Sequence, residues 1–439
     1  MRDMAKVVTL DHTIPMYQKD RIVCAVFKEN SYEVIIPKEG AVPGKLYAFI
    51  ESDSLLPVIP QWEFLRKRCF SEKLQKFLIK PMKMGCKDFN GQKGEPVRSW
   101  GLAVGLSELG LSDELVNKLK AGDDLTEILG IEKYEPLEDA SPKKGEGKNA
   151  YPKWVKFCLS HGVTRWIGNI WKNNHQNISG GFPTGLISKS DETTLQNMPW
   201  VLEKFKDSMV YVTPKWEGQS CTIAPLLSKN KKKIISVYPC SRNNAYIRKC
   251  NNDFWRTMQY YDVENKIKTY FKKTGTALVL QCEQIGPGIQ DNIYCLPRLE
   301  WRVYTIKDAI TGKQLDPYAM NNICSHLDIP SVSCMYIGKL SEICPDVETA
   351  VKYAEDKYWK PIFLQPNSKA PLIDFDYNPL KGEKLWRDYF QWEGVVIRTV
   401  DYDKDNNIGV SFKIKNLAYA EHGLGKINEE VRALLSTMK

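Results

Sequence analysis

Five short stretches in the second half of the chain set lysine, arginine or glutamate beside glycine or apolar runs. They are "TPKWEGQ" with Lys215 and Glu217, "CSRNN" with Arg242, "LQCEQIGPGIQ" with Glu283, "WEGVVIR" with Glu393, and "SFKIKN" with Lys413 and Lys415. Side chains alternate faces along a strand, so Lys215 and Glu217, two apart, would leave one face together. Lys413 and Lys415 would do the same, with Phe412 and Ile414 turned the other way. A sheet gathering these strands would line a cleft with cations and carboxylates. A partly desolvated lysine among other cations has a lowered pKa, and its neutral amine becomes a nucleophile. The other lysines and Arg242 would hold a polyphosphate. Glu217, Glu283 and Glu393 would hold a divalent metal, directly or through water. Attack at phosphorus would leave a lysine phosphoramidate.

The elements that must carry these residues read as α+β. Residues 1–133 hold short strand-like runs, "RIVCAVF", "YEVIIP" and "KLYAFIES", punctuated by Gly and Pro, which predicts a small barrel or sandwich. "RSWGLAVGLSELG" adds glycines suited to tight barrel corners. Residues 134–181 begin as a linker, "YEPLEDASPKKGEGKNA", and continue as a partly helical segment with three tryptophans. From residue 182 to 439 strand-like and helical runs alternate, and "KINEEVRALLSTM" has the spacing of an amphipathic helix. No internal repeat is present.

The chain has 439 residues, too many for one compact core. No apolar run approaches the roughly 20 residues that cross a bilayer, and the "MRDMAKVV" start lacks the apolar core of a signal peptide. A soluble, intracellular protein of cytoplasm or nucleus is expected, without membrane contact. The 12 cysteines form no C-x-x-C pair or zinc-spaced cluster, which predicts reduced, mostly buried thiols. A net charge of +9 permits a polyanionic partner without requiring one.

The order K-x-x-G, S-R-N, E-x-I-G, E-G-V-V-I-R, K-x-K resembles the covalent nucleotidyltransferases, the superfamily of polynucleotide ligases and messenger-RNA capping enzymes. K-x-x-G alone recurs by chance; five motifs in order over about 200 residues are specific. The wording is most similar to ATP-dependent RNA ligases of the Deinococcus and Naegleria type. Those enzymes carry a "GPGIQ.N" signature, here Gly286 to Gln290 with Asn292, and a lead-in echoed by "FPTGLISKSDETTLQN". Two departures stand out: Thr194 occupies the place of an arginine in the lead-in, and Glu217 that of an aspartate. The first puts that arginine's contact in doubt, and the second keeps a carboxylate.

The resemblance implies an N-terminal OB-like barrel followed by an ATP-grasp-like nucleotidyltransferase domain of antiparallel sheets with flanking helices. It implies that Lys215 attacks the α-phosphorus of ATP, that Glu217 and Glu393 contact metal waters of Mg²⁺ or Mn²⁺, and that Glu283 lies near ribose or metal. Arg242, Lys413 and Lys415 would hold the phosphates. Tyr304, in preference to Trp301, would stack on adenine. AMP would pass to an RNA 5′-phosphate and a 3′-hydroxyl would then seal the strand, in RNA repair. A nick with DNA on the 5′-phosphate side is a further substrate of this kind, and a monomer is expected. For RNA contact the N-terminal domain offers Arg66, Lys67, Arg68, Lys80, Lys83 and Lys87.

Blander readings stand beside these. The lysine pair could be a solvated strand face, Glu217 or Glu283 a structural ion-pair partner, and Tyr304 plain core. "LSKNKKKII" reads as a solvated hairpin tip. Cys221, Cys240 and Cys282 read as small buried thiols, and His12 and His161 as surface or packing residues. The rival enzyme is a capping guanylyltransferase, disfavoured because its OB domain follows the catalytic domain and only about 20 residues follow Lys415. The rival from another class is a non-catalytic RNA-binding protein, against which the intact set of charges argues.

Overall fold

The computed structural model describes residues 3–134, 158, 160, 180–290, 292, 294, 296–356, 360–361, 373–374, 392–416 and 419. The tryptophan-rich segment after residue 150, His161 and the expected C-terminal helix lie outside them. Chain contacts divide the protein into two units, Met1–Pro136 with Thr194–Lys204, and Leu137–Thr193 with Phe205–Lys439. The sequence "TLQN" therefore goes with the first unit.

In the first unit the 12-residue strand Ala5–Met16 serves two partners. Its first half pairs antiparallel with Leu46–Glu51 and its second half with Lys19–Phe27, with a register shift between Leu10 and His12. Gly101–Gly105 and Glu33–Pro37 complete the path, and the hairpin of Met82–Phe89 and Gln92–Ser99 joins at Met16. The Trp100 amide donates to the Glu33 carbonyl at 3.2 Å and the Ile35 amide to Ser99 Oγ at 3.2 Å, so the seven-stranded sheet is nearly closed. Its core gathers Met4, Val7, Ile50, Leu56, Trp62 and Phe77, all buried. His12 is on the surface.

The second unit is built on two antiparallel sheets. One runs Asn244–Ala245, Ile234–Cys240, Gln219–Leu227, Leu278–Ile285, Glu300–Asp308. The other runs Ser411–Lys415, Gly394–Thr399, Met209–Pro214, Tyr336–Lys339. Central strands such as Leu278–Ile285 are covered on both faces, which is why they read as unbroken apolar runs. Helix Asp253–Tyr260 starts where the Asn252 side chain accepts from the Trp255 amide at 2.8 Å. It buries Phe254, Trp255, Thr257 and Met258, and with helix Val263–Thr274 it packs against Ile234–Cys240. The lysine-rich stretch "KNKKK" is the exposed tip of the hairpin between Gln219–Leu227 and Ile234–Cys240, as its composition predicts. Cys221, Cys240 and Cys282 are buried, and desolvation raises their thiol pKa, which fits packing rather than nucleophilic roles.

Candidate active site

The strand before the first motif stops at Pro214, so Lys215, Trp216 and Glu217 lie on a connection and not on a strand. The strand rule for their two-residue spacing is therefore corrected. What fixes them is tertiary. The Lys215 amide donates to the Gly394 carbonyl at 2.9 Å. Trp216 is buried between the Tyr294 ring, 4.7 Å away, and the Arg302 guanidinium, 4.7 Å from the indole centre. Arg302 is itself wholly buried and paired with the buried Glu300 at 3.0 Å. The connection runs so close to Leu278–Ile285 that a Cβ on Gly218 would collide with the Gln284 carbonyl oxygen. At Gly394, φ is +148° and a Cβ would strike the Ile414 carbonyl oxygen, so glycine is required there twice over.

Glu217 is buried. Its amide donates to the Tyr294 hydroxyl at 2.5 Å, and its carboxylate accepts from the Tyr419 hydroxyl. Tyr294 reaches this point from the "GPGIQ.N" loop. There the Asn292 side chain donates to the Leu296 carbonyl at 3.0 Å and accepts from its amide at 3.2 Å.

The Lys215 ammonium is ion-paired with Glu393. Burial alone would lower its pKa, but the charge and hydrogen bond of Glu393, with Glu283 and Glu192 behind, raise it. This overturns the expectation of a lowered pKa, because carboxylates and not cations surround the amine. The counterpart is Glu283. Burial pushes its carboxyl up to about 8, with Glu393 and Glu192 adding to the effect while Lys215 and Arg242 oppose it.

Strand Ser411–Lys415 alternates as expected: Phe412 and Ile414 are wholly buried, while Ser411, Lys413 and Lys415 share the other face. Arg242 lies in the turn after Ile234–Cys240 rather than on a strand. Both Arg242 and Lys413 face Asp191, at 3.5 and 3.8 Å. The Arg242 guanidinium also donates to the Ser190 carbonyl at 3.3 Å. Tyr304 is the unpaired residue where the register of Leu278–Ile285 against Glu300–Asp308 slips, a bulge that re-aims its side chain. Its hydroxyl shares a hydrogen bond with Ser190 Oγ at 2.7 Å. Trp301 is wholly buried and stacks on Tyr261 in the core, 5.8 Å between ring centres, so it offers no platform to a ligand.

Three site residues had no role from the sequence: Asp191, Glu192 and Arg398. The Arg398 guanidinium, buried at the end of "GVVIR", donates to Glu192 at 2.6 Å, to the Tyr304 carbonyl at 2.8 Å and to Ser411 Oγ at 3.1 Å. Burial would raise the Glu192 pKa, but Arg398 pulls it down by charge and hydrogen bond. The arginine closing an apolar strand was the available signal, since a charge in such a strand needs a partner. Thr194 is buried and presents no cation where the family pattern has one.

Among the described residues no three His, Cys, Asp or Glu side chains converge closely enough to hold a bare ion. The donor set fits a hydrated ion. Mg²⁺ keeps several waters and takes one or two carboxylates with substrate phosphates, and the carboxylate charge crowding Lys215 is what a cation would relieve.

In the N-terminal unit Lys67, Arg68 and Lys80 are exposed. Arg66 is exposed but engaged: it pairs with Glu63 at 2.6 Å and lies 4.5 Å over the Phe70 ring. Lys87 is not available as the sequence suggested, because Glu33 holds it at 2.5 Å. The side chain of Lys83 lies outside the described residues. Among the described residues no helix is long and apolar enough to cross a membrane.

The second unit thus brings a half-buried lysine amine, paired with Glu393, together with Glu283, Arg242 and Lys413 on its two antiparallel sheets and their connections. Residues 208–415 match the RNA ligase family model. No curated protein matched the sequence. Among solved structures the chain is similar in fold to the RNA ligase of Naegleria gruberi. A mutant of that ligase with AMP and Mn is 20% identical, with a TM-score of 0.68, over 97% of this chain and 100% of that one. Another mutant, with ATP and Mn, is 21% identical at TM-score 0.67 over 96% and 99%. The form with PPi is 21% identical at 0.67 over 97% and 100%.

Proposed function

We propose that this chain is an ATP-dependent RNA strand ligase that works through lysyl-AMP. The observation that carries the reading is the Lys215–Glu393 pair beside Glu283, whose carboxyl feels the charges of both Lys215 and Arg242. In the first step the Lys215 amine attacks the α-phosphorus of ATP and pyrophosphate leaves. Lys215 is an ammonium in the free site, so it must first lose a proton; Glu393 is in hydrogen-bond contact to receive it. Arg242, Lys413 and Lys415 supply positive charge to the phosphates, with Asp191 giving way to them. A divalent ion, when bound, offsets phosphate charge and draws the negative field of the carboxylates away from the amine. Glu217, Glu283 and Glu393 would hold it through water. Tyr304 stacks on adenine, its backbone held by Arg398 and its hydroxyl by Ser190.

AMP then moves to the 5′-phosphate of an RNA end, and attack by the 3′-hydroxyl seals the strand and releases AMP. The nearly closed N-terminal sheet serves as an OB-like RNA-binding domain over residues 1–133, with Lys67, Arg68 and Lys80 toward the strand. Residues 134–181 link it to an adenylyltransferase domain over 182–439, and RNA repair is the process this serves. The test is incubation with α-labelled ATP or GTP and a divalent metal, followed by denaturation. Acid-labile, alkali-stable label from ATP, absent in Lys215→Ala, is expected. Label from GTP would move the reading to capping, and no label from either would make the protein a binder.

A further inference from the structure

We infer that Phe64 is a stacking platform for one unpaired nucleobase, with Lys67 and Arg68 on the phosphates beside it, so that the N-terminal unit takes RNA with a single-stranded segment in preference to continuous duplex. Pro60–Leu65 and Arg66–Cys69 form one unbroken run of helical turns. Its inner side is anchored: Trp62 and Leu65 are buried in the core of this unit, and Cys69 packs against that core. Phe64 is turned away from it. At 64% exposure it is the most exposed large apolar side chain among the described residues. Its ring is nonetheless located, with its centre 6.5 Å from that of the buried Trp62 indole.

A single exposed apolar residue needs no explanation. What distinguishes Phe64 is the company it keeps. Residues three and four further along a helical run lie on the same side, so Lys67 and Arg68 flank the ring. Other cations of this unit are neutralised: Arg66 by Glu63 at 2.6 Å, Lys76 by Glu132 at 2.6 Å and Lys87 by Glu33 at 2.5 Å. Lys67 and Arg68 pair with no carboxylate among the described residues. The Arg68 guanidinium donates to Met84 Sδ at 3.8 Å, a weak acceptor that leaves its charge unmet. An open aromatic ring between two unneutralised cations matches a single strand, in which a phosphate and a free base face recur at every nucleotide. A duplex offers the phosphates but keeps its bases stacked on one another, and gives the ring no partner.

The inference rests on the proposed RNA-binding role of this unit, and the test separates the two. The full chain is titrated, in chelator and without ATP, against a labelled unstructured RNA strand of about 12 nucleotides and against a blunt RNA duplex of the same length. Phe64→Ala should weaken binding of the single strand by about tenfold. Binding of the duplex should stay within about twofold of the parent. The salt dependence should keep its slope, because no charge is removed. Phe64→Leu, apolar but without a π face, should lose nearly as much, and Phe64→Trp should bind at least as tightly as the parent. Since the ring is exposed, these variants should melt with the parent and form lysyl-AMP at its rate.

Phe64→Ala that binds the single strand as the parent does, or that loses the duplex equally, would overturn the platform. So would Phe64→Leu at parental affinity, which would make the contact merely apolar. Lys67→Glu with Lys80→Glu that leaves single-strand binding unchanged would overturn the RNA-binding role of the unit and this inference with it. Weakened binding by that double variant beside normal binding by Phe64→Ala would remove only the role of Phe64.

Discussion

Glu283 should make the protein less stable as the pH rises from about 4.5 to about 8. Its carboxyl is raised from an ordinary 4.5 to about 8, first by burial and then by Glu393 and Glu192. Between those two values the folded protein keeps a proton that the unfolded chain has released. Stability therefore falls as the pH climbs from about 4.5 to about 8 and levels off above. At about 1.4 kcal/mol per pH unit, the full span corresponds to about 5 kcal/mol. The side chain is partly exposed, and solvent screening brings the expected effect to about 2–3 kcal/mol. Glu283→Gln cannot ionise, so it should melt with wild type near pH 4.5 and above it at pH 8.5. In metal-free buffer the gap should be roughly 5–10 °C for a unit of this size. The assay is thermal unfolding followed by circular dichroism at half-unit pH steps, with chelator present. The same variant should transfer AMP to Lys215 poorly, because a carboxylate of the site is gone. A gap that does not widen with pH, or a Glu283→Gln protein that melts lower at pH 8.5, would refute the crowding of carboxylates around Lys215.

Four further outcomes follow from the same geometry. Gly394→Ala places a Cβ against the Ile414 carbonyl at φ +148° and should cost roughly 3 kcal/mol in urea unfolding, with loss of adenylylation. Arg398→Met leaves Glu192 buried without its guanidinium and should cost about 3–5 kcal/mol, partly recovered when Glu192→Gln is added. Trp301→Ala should lower stability by about 3–5 kcal/mol, whereas Tyr304→Ala should chiefly raise the KM for ATP in pyrophosphate-release assays. Lys67→Glu with Lys80→Glu should weaken RNA binding in a salt titration and flatten its slope, leaving lysyl-AMP formation from free ATP unchanged.

What the sequence could convey depended on how local its physics was. The alternation of Phe412 and Ile414 against Lys413 and Lys415 is a property of five residues in one strand, and it reads correctly. So do the hairpin tip at "KNKKK" and the coherence of Lys215, Glu283 and Glu393, the last because the motifs recur in a fixed order. At Lys215 local pattern misleads in two ways. Proline ends its strand one residue early, and its charge environment comes from Glu393 and Glu283, which lie far along the chain and reach it only through folding. The Glu192–Arg398 bond spans 206 positions of sequence, and no periodicity carries that information. Tyr304 owes its aim to a bulge, which no composition of "EWRVYTI" discloses. Lys87 looked like one more basic residue until Glu33 proved to be its neighbour across the sheet.

The placement of Gly394–Thr399 between Met209–Pro214 and Ser411–Lys415 bears on how the protein is made. The inner neighbour of an early strand is supplied by residues about 180 positions later. Until those emerge, the newborn catalytic unit exposes the open ladder edge of Met209–Pro214, a surface prone to pairing with other chains. A message broken or stopped within that interval would thus yield a polypeptide fit for aggregation or proteolysis, not a weakened ligase. The strand order links enzyme activity to completion of synthesis through at least residue 415.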